Sequence, residues 1–209
     1  MDHSHFILHL PDWLQKTISQ SRRPFSTVEE RMSFVIELAR LNTHYKNGGP
    51  FAAAVFRAND NSLLTAGVNL VLSERCSVLH AEVVAIMAAQ KMAGTYDLSS
   101  GELPPYELVT STEPCAMCLG AVTWSGIRKL VCGARGADAE ETGFDEGEKP
   151  LDWPEALERR GIAVVRDICR EQAVAILRDY RAGGGIIYNP CRKRAPLLHH
   201  NADRGRGYL

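Results

Sequence analysis

The 209-residue chain lacks several features that would assign it to a special class of protein. It has no apolar run long enough to cross a bilayer, and no basic region followed by an apolar stretch opens it, so we expect no membrane association and no secretory signal. Its net charge of −1 offers no broad basic surface, which argues against a nucleic-acid substrate. Its six cysteines are too few for a disulfide scaffold of this size, so we expect a reducing, cytoplasmic location.

Length and composition are those of a soluble globular domain with a full core. Hydrophobic residues make up 45% of the chain and charged residues 23%. We predict a loosely packed N-terminal extension over residues 1–25 and one main domain over residues 26–190. The segment 191–209 is basic and has no hydrophobic period, so we expect a tail that is disordered in part.

Helical and strand patterns alternate along the main domain. Ser26 or Thr27, followed by two glutamates, predicts the start of a helix that ends near Tyr45. Further helices are predicted from His80 to near Gly94, from Cys115 to about residue 125, and over residues 170–181. Strands are predicted over residues 51–57, 63–72, 107–111, 128–134 and 162–166. The acidic, glycine-rich stretch 136–153 is predicted to be a loop near the site. This alternation predicts a three-layer α/β/α domain.

Two short stretches carry residues suited to a metal site: His80-Ala81-Glu82 and Pro114-Cys115-Ala116-Met117-Cys118. One imidazole and two thiolates suit Zn²⁺, and three protein ligands leave a fourth position for a water or hydroxide, as in catalytic sites. Glu82 lies two residues after His80, where it can move protons to and from that water. The pattern His-X-Glu followed by Pro-Cys-X-X-Cys is typical of zinc-dependent nucleobase deaminases. We therefore predict one zinc ion per chain, bound by His80, Cys115 and Cys118, with Glu82 as a catalytic residue.

The spacing of these residues predicts where they lie on helices. Cys115 and Cys118 are three apart, so they share one face of a first helical turn, with Pro114 expected at the first helical position. The positive end of that helix favours the thiolates. His80 and Glu82 are two apart and can converge on one ion only if they also lie at the start of a helix.

Simpler interpretations of these residues remain open at this point. A lone Cys-X-X-Cys can be a redox pair or half of a structural zinc site, but no second closely spaced pair is present. Cys76, four residues before His80, could complete a closed Cys₃His site and leave Glu82 without a task. His80 could also be a buried, hydrogen-bonded side chain with no metal.

Five segments resemble the cytidine-deaminase-like zinc superfamily, and within it the branch of the bacterial guanine deaminases. They are Gly49-Pro50-Phe51, Asn69, His80-Ala81-Glu82, Thr112 to Cys118, and Gly143-Phe144-Asp145-Glu146. The similarity runs from about residue 32 to residue 189. The last of these segments and the C-terminal segment that follows it resemble the guanine branch specifically. The resemblance implies a five-stranded mixed sheet flanked by helices, a homodimer, and a C-terminal segment that closes over the site of its own or the partner's subunit.

The resemblance also implies roles in substrate binding. Asn69 resembles the amide that reads the purine ring, and Phe51 and Phe144 resemble residues that sandwich the base. Glu146 resembles a second catalytic carboxylate near the leaving amino group, although related sequences often carry Asp there and Asp145 is the competing candidate. Taken alone, these residues have simpler interpretations as a core aromatic, a turn amide and solvated loop charges.

The activity implied by the resemblance is the hydrolytic deamination of guanine to xanthine and ammonia in purine catabolism or salvage. The expected partner is a small purine or triazine base. Ammeline, guanosine and cytosine are alternative substrates. A deaminase of tRNA adenosine and a catalytically silent, zinc-stabilised relative are the remaining alternatives.

Overall fold

One mixed sheet of five strands forms the centre of the computed structural model, which describes residues 8–21 and 23–189. The strands are β1 (Ala52–Arg57), β2 (Leu63–Val68), β3 (Tyr106–Thr112), β4 (Lys129–Ala134) and β5 (Ala163–Val165). Their order is β2-β1-β3-β4-β5. Strand β1 runs antiparallel to β2 and β3, whereas β3, β4 and β5 are parallel. The predicted five-stranded mixed sheet is confirmed, and the predicted tail over 191–209 lies outside the described residues.

Seven helices accompany the sheet in the described part of the chain. They are α1 (Asp12–Gln20), α2 (Val28–His44), α3 (Ala81–Ala93), α4 (Ala116–Ser125), α5 (Gly136–Thr142), α6 (Trp153–Glu158) and α7 (Arg170–Ala182). None of these helices combines the length and apolar character needed to cross a membrane.

The side chains of β1 alternate between two cores and so define the three layers. Ala52, Ala54 and Phe56 join a cluster with residues of α2 and α7, whereas Ala53 and Val55 join a cluster with residues of α3, α4 and α6. All five side chains are buried. A strand with two buried faces reads as a continuous apolar run, as β1 does.

The N-terminal segment is anchored, so the expectation of loose packing is wrong for α1. Leu14 is completely buried. Trp13 donates a hydrogen bond from Nε1 to Asn47 Oδ1 over 2.9 Å and stacks on Tyr45 with ring centroids 5.3 Å apart. These contacts fix α1 against the loop that follows α2.

The stretch 136–153, predicted to be a loop, begins with the helix α5, so that prediction is wrong for residues 136–142. Asp138 stabilises the start of α5 because its Oδ2 accepts a hydrogen bond from Arg135 N over 2.8 Å. The remainder, from residue 143 to 152, is irregular and leads back across the end of the sheet to α6.

A glycine sets how closely α3 approaches the sheet. A Cβ atom on Gly67 in β2 would collide with the backbone of Ala81 and Ala85 in α3. The bare backbone of Gly67 therefore lets the first turn of α3 lie directly on β2. This contact places the residue before α3, His80, at the end of the sheet.

Candidate active site

The predicted metal ligands meet where two helices begin. His80 is the N-cap of α3, Cys115 is the N-cap of α4, and Cys118 lies in the first turn of α4. Their ligand atoms all lie within 4.8 Å of one another, and Cys115 Sγ is 3.4 Å from His80 Nδ1. Pro114 precedes the N-cap, so its predicted place at the first helical position is wrong.

This donor set fits zinc. It offers one imidazole nitrogen and two sulfurs, the combination found in zinc sites with an open position. A hydrogen bond from Cys118, with a further one from His80, lowers the pKa of Cys115 to about 4 despite burial, and the thiolate is the form that binds metal. Cys76 is not part of the group, so in the part of the chain that the structure describes three ligands converge and the closed Cys₃His arrangement does not form.

Glu82 lies beside the three ligands without being one of them. It is the second residue of α3, and its side chain is buried and faces the same cleft as His80 and Cys115. Burial raises the pKa of Glu82 to about 7, and the negative charge of Cys115 adds to the rise. A carboxyl group that titrates near neutrality can both accept and return a proton.

One cleft brings the predicted site residues together. Its empty space is about 610 Å³ when the solvent at its open mouth is counted. The predicted residues on its wall are Phe51, Asn69, His80, Glu82, Cys115, Phe144, Asp145 and Glu146. It lies beyond the carboxyl ends of the parallel strands β3 and β4, where ligands bind in open α/β sheets.

The side-chain carboxamide of Asn69 is fixed through its oxygen. Its Oδ1 accepts hydrogen bonds from Gly49 N over 3.2 Å and from Val71 N over 3.3 Å. Its backbone carbonyl accepts from Asn42 Nδ2 over 2.9 Å, and the same Nδ2 also reaches Gly49 O. Among the described residues Asn69 Nδ2 donates no hydrogen bond, so it is available to an acceptor on a ligand.

Phe51 and Phe144 form one aromatic wall of the cleft. Their ring centroids are 4.8 Å apart and the rings meet at 75°, edge to face. Tyr180 stacks on Phe144 from the other side, with centroids 6.1 Å apart. Both rings line the cleft, and the sandwich of a base by Phe51 and Phe144 stays a prediction.

Burial distinguishes the two loop carboxylates. Glu146 is buried, and burial raises its pKa to about 8 although the charge of Lys149 opposes the rise. Asp145 is exposed, and its Oδ1 accepts a hydrogen bond from Gly147 N over 2.9 Å. Asp145 thus stabilises its own turn, whereas Glu146 is the carboxylate enclosed in the cleft.

Sequence reasoning missed several residues of the wall, among them Glu113, Ile186 and Tyr188. Glu113 lies within the Thr112-to-Cys118 segment, so that segment carried a signal for it. Residues 186–189 follow a glycine run and show no pattern. They are held by hydrogen bonds from Tyr180 Oη to Ile186 O and from Asn189 Nδ2 to Gly143 O, each 2.8 Å. Ile186 and Tyr188 therefore line the cleft of their own chain.

Residues 26–134 match the model of the cytidine and deoxycytidylate deaminase zinc-binding region. The match spans more than half of the chain and includes His80, Glu82, Cys115 and Cys118. The chain belongs to this family.

Relatives within the family include guanine deaminases. The guanine deaminase of Bacillus subtilis is 38% identical over 109 residues, which cover 51% of this chain and 65% of that protein, just under two thirds of its length. A solved guanine deaminase from Nitrosomonas europaea is 47% identical, with a TM-score of 0.82, and the match covers 85% of this chain and 97% of that one. A structure of NE0047 in complex with 2,6-diaminopurine is 49% identical, with a TM-score of 0.83 and coverage of 88% and 96%.

Proposed function

We propose that this chain is a zinc-dependent enzyme that deaminates guanine hydrolytically to xanthine and ammonia. The observation that carries the proposal is the place of Glu82, buried beside the group of His80, Cys115 and Cys118 in the cleft that Glu146 also lines. Similarity to the guanine deaminase of Nitrosomonas europaea, which covers 97% of that chain, supports guanine as the substrate.

His80, Cys115 and Cys118 are the residues that would hold one metal ion per chain. When bound, zinc lowers the pKa of a water molecule towards neutrality. Glu82 takes a proton from the attacking water and delivers it to the ring or to the departing amine. The water oxygen forms a bond to C2, and the bond from C2 to its amino nitrogen breaks. Guanine and water thus become xanthine and ammonia.

Glu146 is assigned the second carboxylate role. It is buried in the cleft, and among the described residues its one side-chain partner is Lys149, through Oε2. In this role Glu146 accepts hydrogen bonds from the N–H groups on the C2 side of guanine. An acceptor is needed there before and during loss of the amine. A buried acceptor left without its donor is costly, so Glu146 selects against bases that lack these groups.

Asn69, Phe51 and Phe144 are assigned to holding the base. Asn69 Nδ2 is the donor that remains after Oδ1 has accepted two backbone amides, so it pairs with an acceptor on the purine ring. The aromatic wall of Phe51 and Phe144 offers a surface on which a planar base can stack. Stacking holds any base, whereas the hydrogen bonds select its edge.

A panel of amino-substituted heterocycles tests the substrate. Ammonia release by zinc-loaded protein is measured with guanine, guanosine, cytosine, cytidine, adenine and ammeline. We expect guanine to give the highest kcat/KM and xanthine as its product. A higher kcat/KM for ammeline, guanosine or cytosine would contradict guanine as the main substrate while leaving the reaction type in place.

We also propose a homodimer that associates through α3 and α4. Met117 and Trp124 are seven residues apart on α4 and so lie on one side of it, and both are exposed, Trp124 by 80%. Met87 on the neighbouring α3 is exposed as well. Large apolar side chains grouped on a surface are typical of protein interfaces.

A cytoplasmic location is proposed from the cysteines. All five in the described part of the chain are free thiols, and two of them belong to the metal-ligand group. Thiol ligands keep their reactivity towards a metal in a reducing compartment, where disulfides do not form.

A further inference from the structure

Lys149 is a buried cation that touches two parts of the site. Its side chain is only 12% exposed, its Nζ donates a hydrogen bond to Pro114 O over 3.0 Å, and it lies 3.5 Å from Glu146 Oε2. Pro114 directly precedes the metal ligand Cys115. An ammonium group gives up water on burial and needs acceptors in its place, so this is not the environment of an ordinary surface lysine.

The loop that carries Lys149 is attached to the start of α4 at a second point. Ala116 N donates a hydrogen bond to Glu146 O over 2.9 Å. The two attachments, at Pro114 and Ala116, lie on either side of Cys115. The loop of residues 146–149 therefore connects the second carboxylate directly to the backbone that presents a metal ligand.

The residues around the Lys149 ammonium group leave space for it and leave Glu146 as its carboxylate partner. A Cβ atom on Gly136 would come within 2.7 Å of Lys149 Nζ, so the absence of a side chain there provides its space. Glu113, the other buried carboxylate nearby, is already engaged by Arg166 Nε over 2.6 Å and by Gly136 N over 3.0 Å. Glu146 is thus the carboxylate that remains for Lys149.

We propose that Lys149 is a positioning residue for deamination, which ties the carboxylate of Glu146 to the carbonyl of Pro114 and so fixes Glu146 relative to the metal ligands. This inference rests on the proposed function, in which Glu146 contacts the base. The contact of Lys149 Nζ with Oε2 limits the rotamers that the Glu146 side chain can adopt. With Oε2 facing Lys149, Oε1, which accepts no hydrogen bond from the described residues, is left for the N–H groups of the substrate.

The test compares Lys149→Met and Lys149→Arg, each with and without Glu146→Gln. Lys129→Met is the matched control, because Lys129 makes a lysine–carboxylate ion pair with Glu107 over 2.7 Å at the opposite end of β4. The readouts are kcat and KM for guanine, zinc content, and the position of the Glu146 carboxylate in a crystal structure of Lys149→Met.

We expect Lys149→Met to lower kcat by about tenfold to a hundredfold, with a smaller change in KM and full zinc content. Lys149→Arg should recover part of the loss, and Lys129→Met should leave kcat unchanged. In the Glu146→Gln background, Lys149→Met should add little further loss, because the residue through which it acts is already altered.

Three results would overturn the inference. The first is a loss of kcat on Lys149→Met that is as large in the Glu146→Gln background as in the wild type. The others are loss of zinc from Lys149→Met and an unmoved Glu146 carboxylate in the crystal structure of Lys149→Met. If the wild-type protein releases no ammonia from guanine, the proposed function fails separately. The crystal structure then still decides whether Lys149 positions Glu146.

Discussion

The ring of Phe51, just before β1, contacts the ring of Phe144, just after α5, edge to face with centroids 4.8 Å apart. Two segments far apart in the chain therefore complete one wall of the cleft. Tyr180, which is not among the residues that line the cleft, also stacks on Phe144.

Replacing Phe144 with Leu should raise the KM for guanine by about tenfold, since stacking of a base on an aromatic ring contributes about 1–3 kcal/mol. The effect on kcat should be smaller, because the catalytic carboxylates keep their places. Steady-state kinetics measures both. Phe34→Leu is the control, because that ring packs on Phe25 away from the cleft, with centroids 5.2 Å apart. An equal KM for Phe144→Leu and the wild type would contradict the role of this wall.

Glu146→Gln should lower kcat/KM for guanine by about tenfold to a hundredfold, because it removes the charged acceptor for the N–H groups of the base and a hydrogen bond to a charged group contributes about 1.5–3 kcal/mol. Asp145→Asn should have a small effect, because Asp145 is exposed and bonds to Gly147 within its own turn. Zinc analysis of both variants checks that the metal site is retained. A larger loss from Asp145→Asn than from Glu146→Gln would show that the roles within this pair have been assigned the wrong way round.

Removing the metal should destabilise the fold as well as abolish turnover, because an ion bound only by the folded state contributes to its stability. We expect a chelator to lower Tm and a stoichiometric addition of zinc to restore it. Cys118→Ser should bind less than one zinc per chain. Cys76→Ser should keep full zinc content and activity, because Cys76 lies outside the ligand group. Zinc loss from Cys76→Ser would instead favour a closed structural site.

The pair of Asp138 and Arg170 should make stability depend on acid pH. Hydrogen bonds from Arg170, with a further one from Arg135 N, hold the pKa of Asp138 below its usual value. A carboxylate with a lowered pKa stabilises the fold above its unfolded-state pKa of about 4, and this contribution disappears as the pH falls through the lower folded-state pKa.

Asp138→Asn should therefore reduce the free energy of unfolding at pH 7 by about 1 kcal/mol. The effect is no larger because the Arg170 side chain is 40% exposed and solvent screens the ion pair. The difference from the wild type should shrink below about pH 4. Urea unfolding at several pH values measures it. Asp152→Asn, in an exposed ion pair with Arg159, is the control and should change nothing measurable. A difference that does not vary with pH would refute the electrostatic explanation.

Trp124→Glu should convert the proposed dimer into a monomer, because it places a charge on the exposed apolar side of α4. Sedimentation velocity measures the change. Tyr45→Glu alters a half-exposed aromatic on the α2 side of the sheet and should leave the mass unchanged. A wild-type protein that sediments as a monomer would rule the dimer out.

The elements with strong local signals were predictable from sequence. Thr27 starts α2 as expected, since its Oγ1 accepts a hydrogen bond from Glu30 N over 3.1 Å. The need for His80 and Glu82 to converge correctly predicted that a helix starts next to His80, which is the N-cap of α3. In each case a few neighbouring residues determine the structure through a cap or a ligand spacing.

The elements that sequence reasoning missed depend on distant contacts. Helix α5 is short and acidic, so no hydrophobic period indicates it, and its start is stabilised by Asp138 together with Arg170 from α7. Lys149 looks like any loop lysine until folding brings it next to Pro114, which is 35 residues away. Tyr188 lies at the cleft because its neighbours are held there, Ile186 by Tyr180 and Asn189 by the backbone at Gly143.

The most direct test of the account is a comparison of zinc-loaded wild-type protein with Glu82→Gln, using guanine as the substrate. The wild type should produce xanthine and ammonia in equal amounts. Glu82→Gln should keep its fold and its zinc while kcat falls by about 10²- to 10⁴-fold. Unchanged turnover by Glu82→Gln would contradict the proposed proton transfer by Glu82, and the absence of xanthine from the wild-type reaction would contradict the proposed function itself.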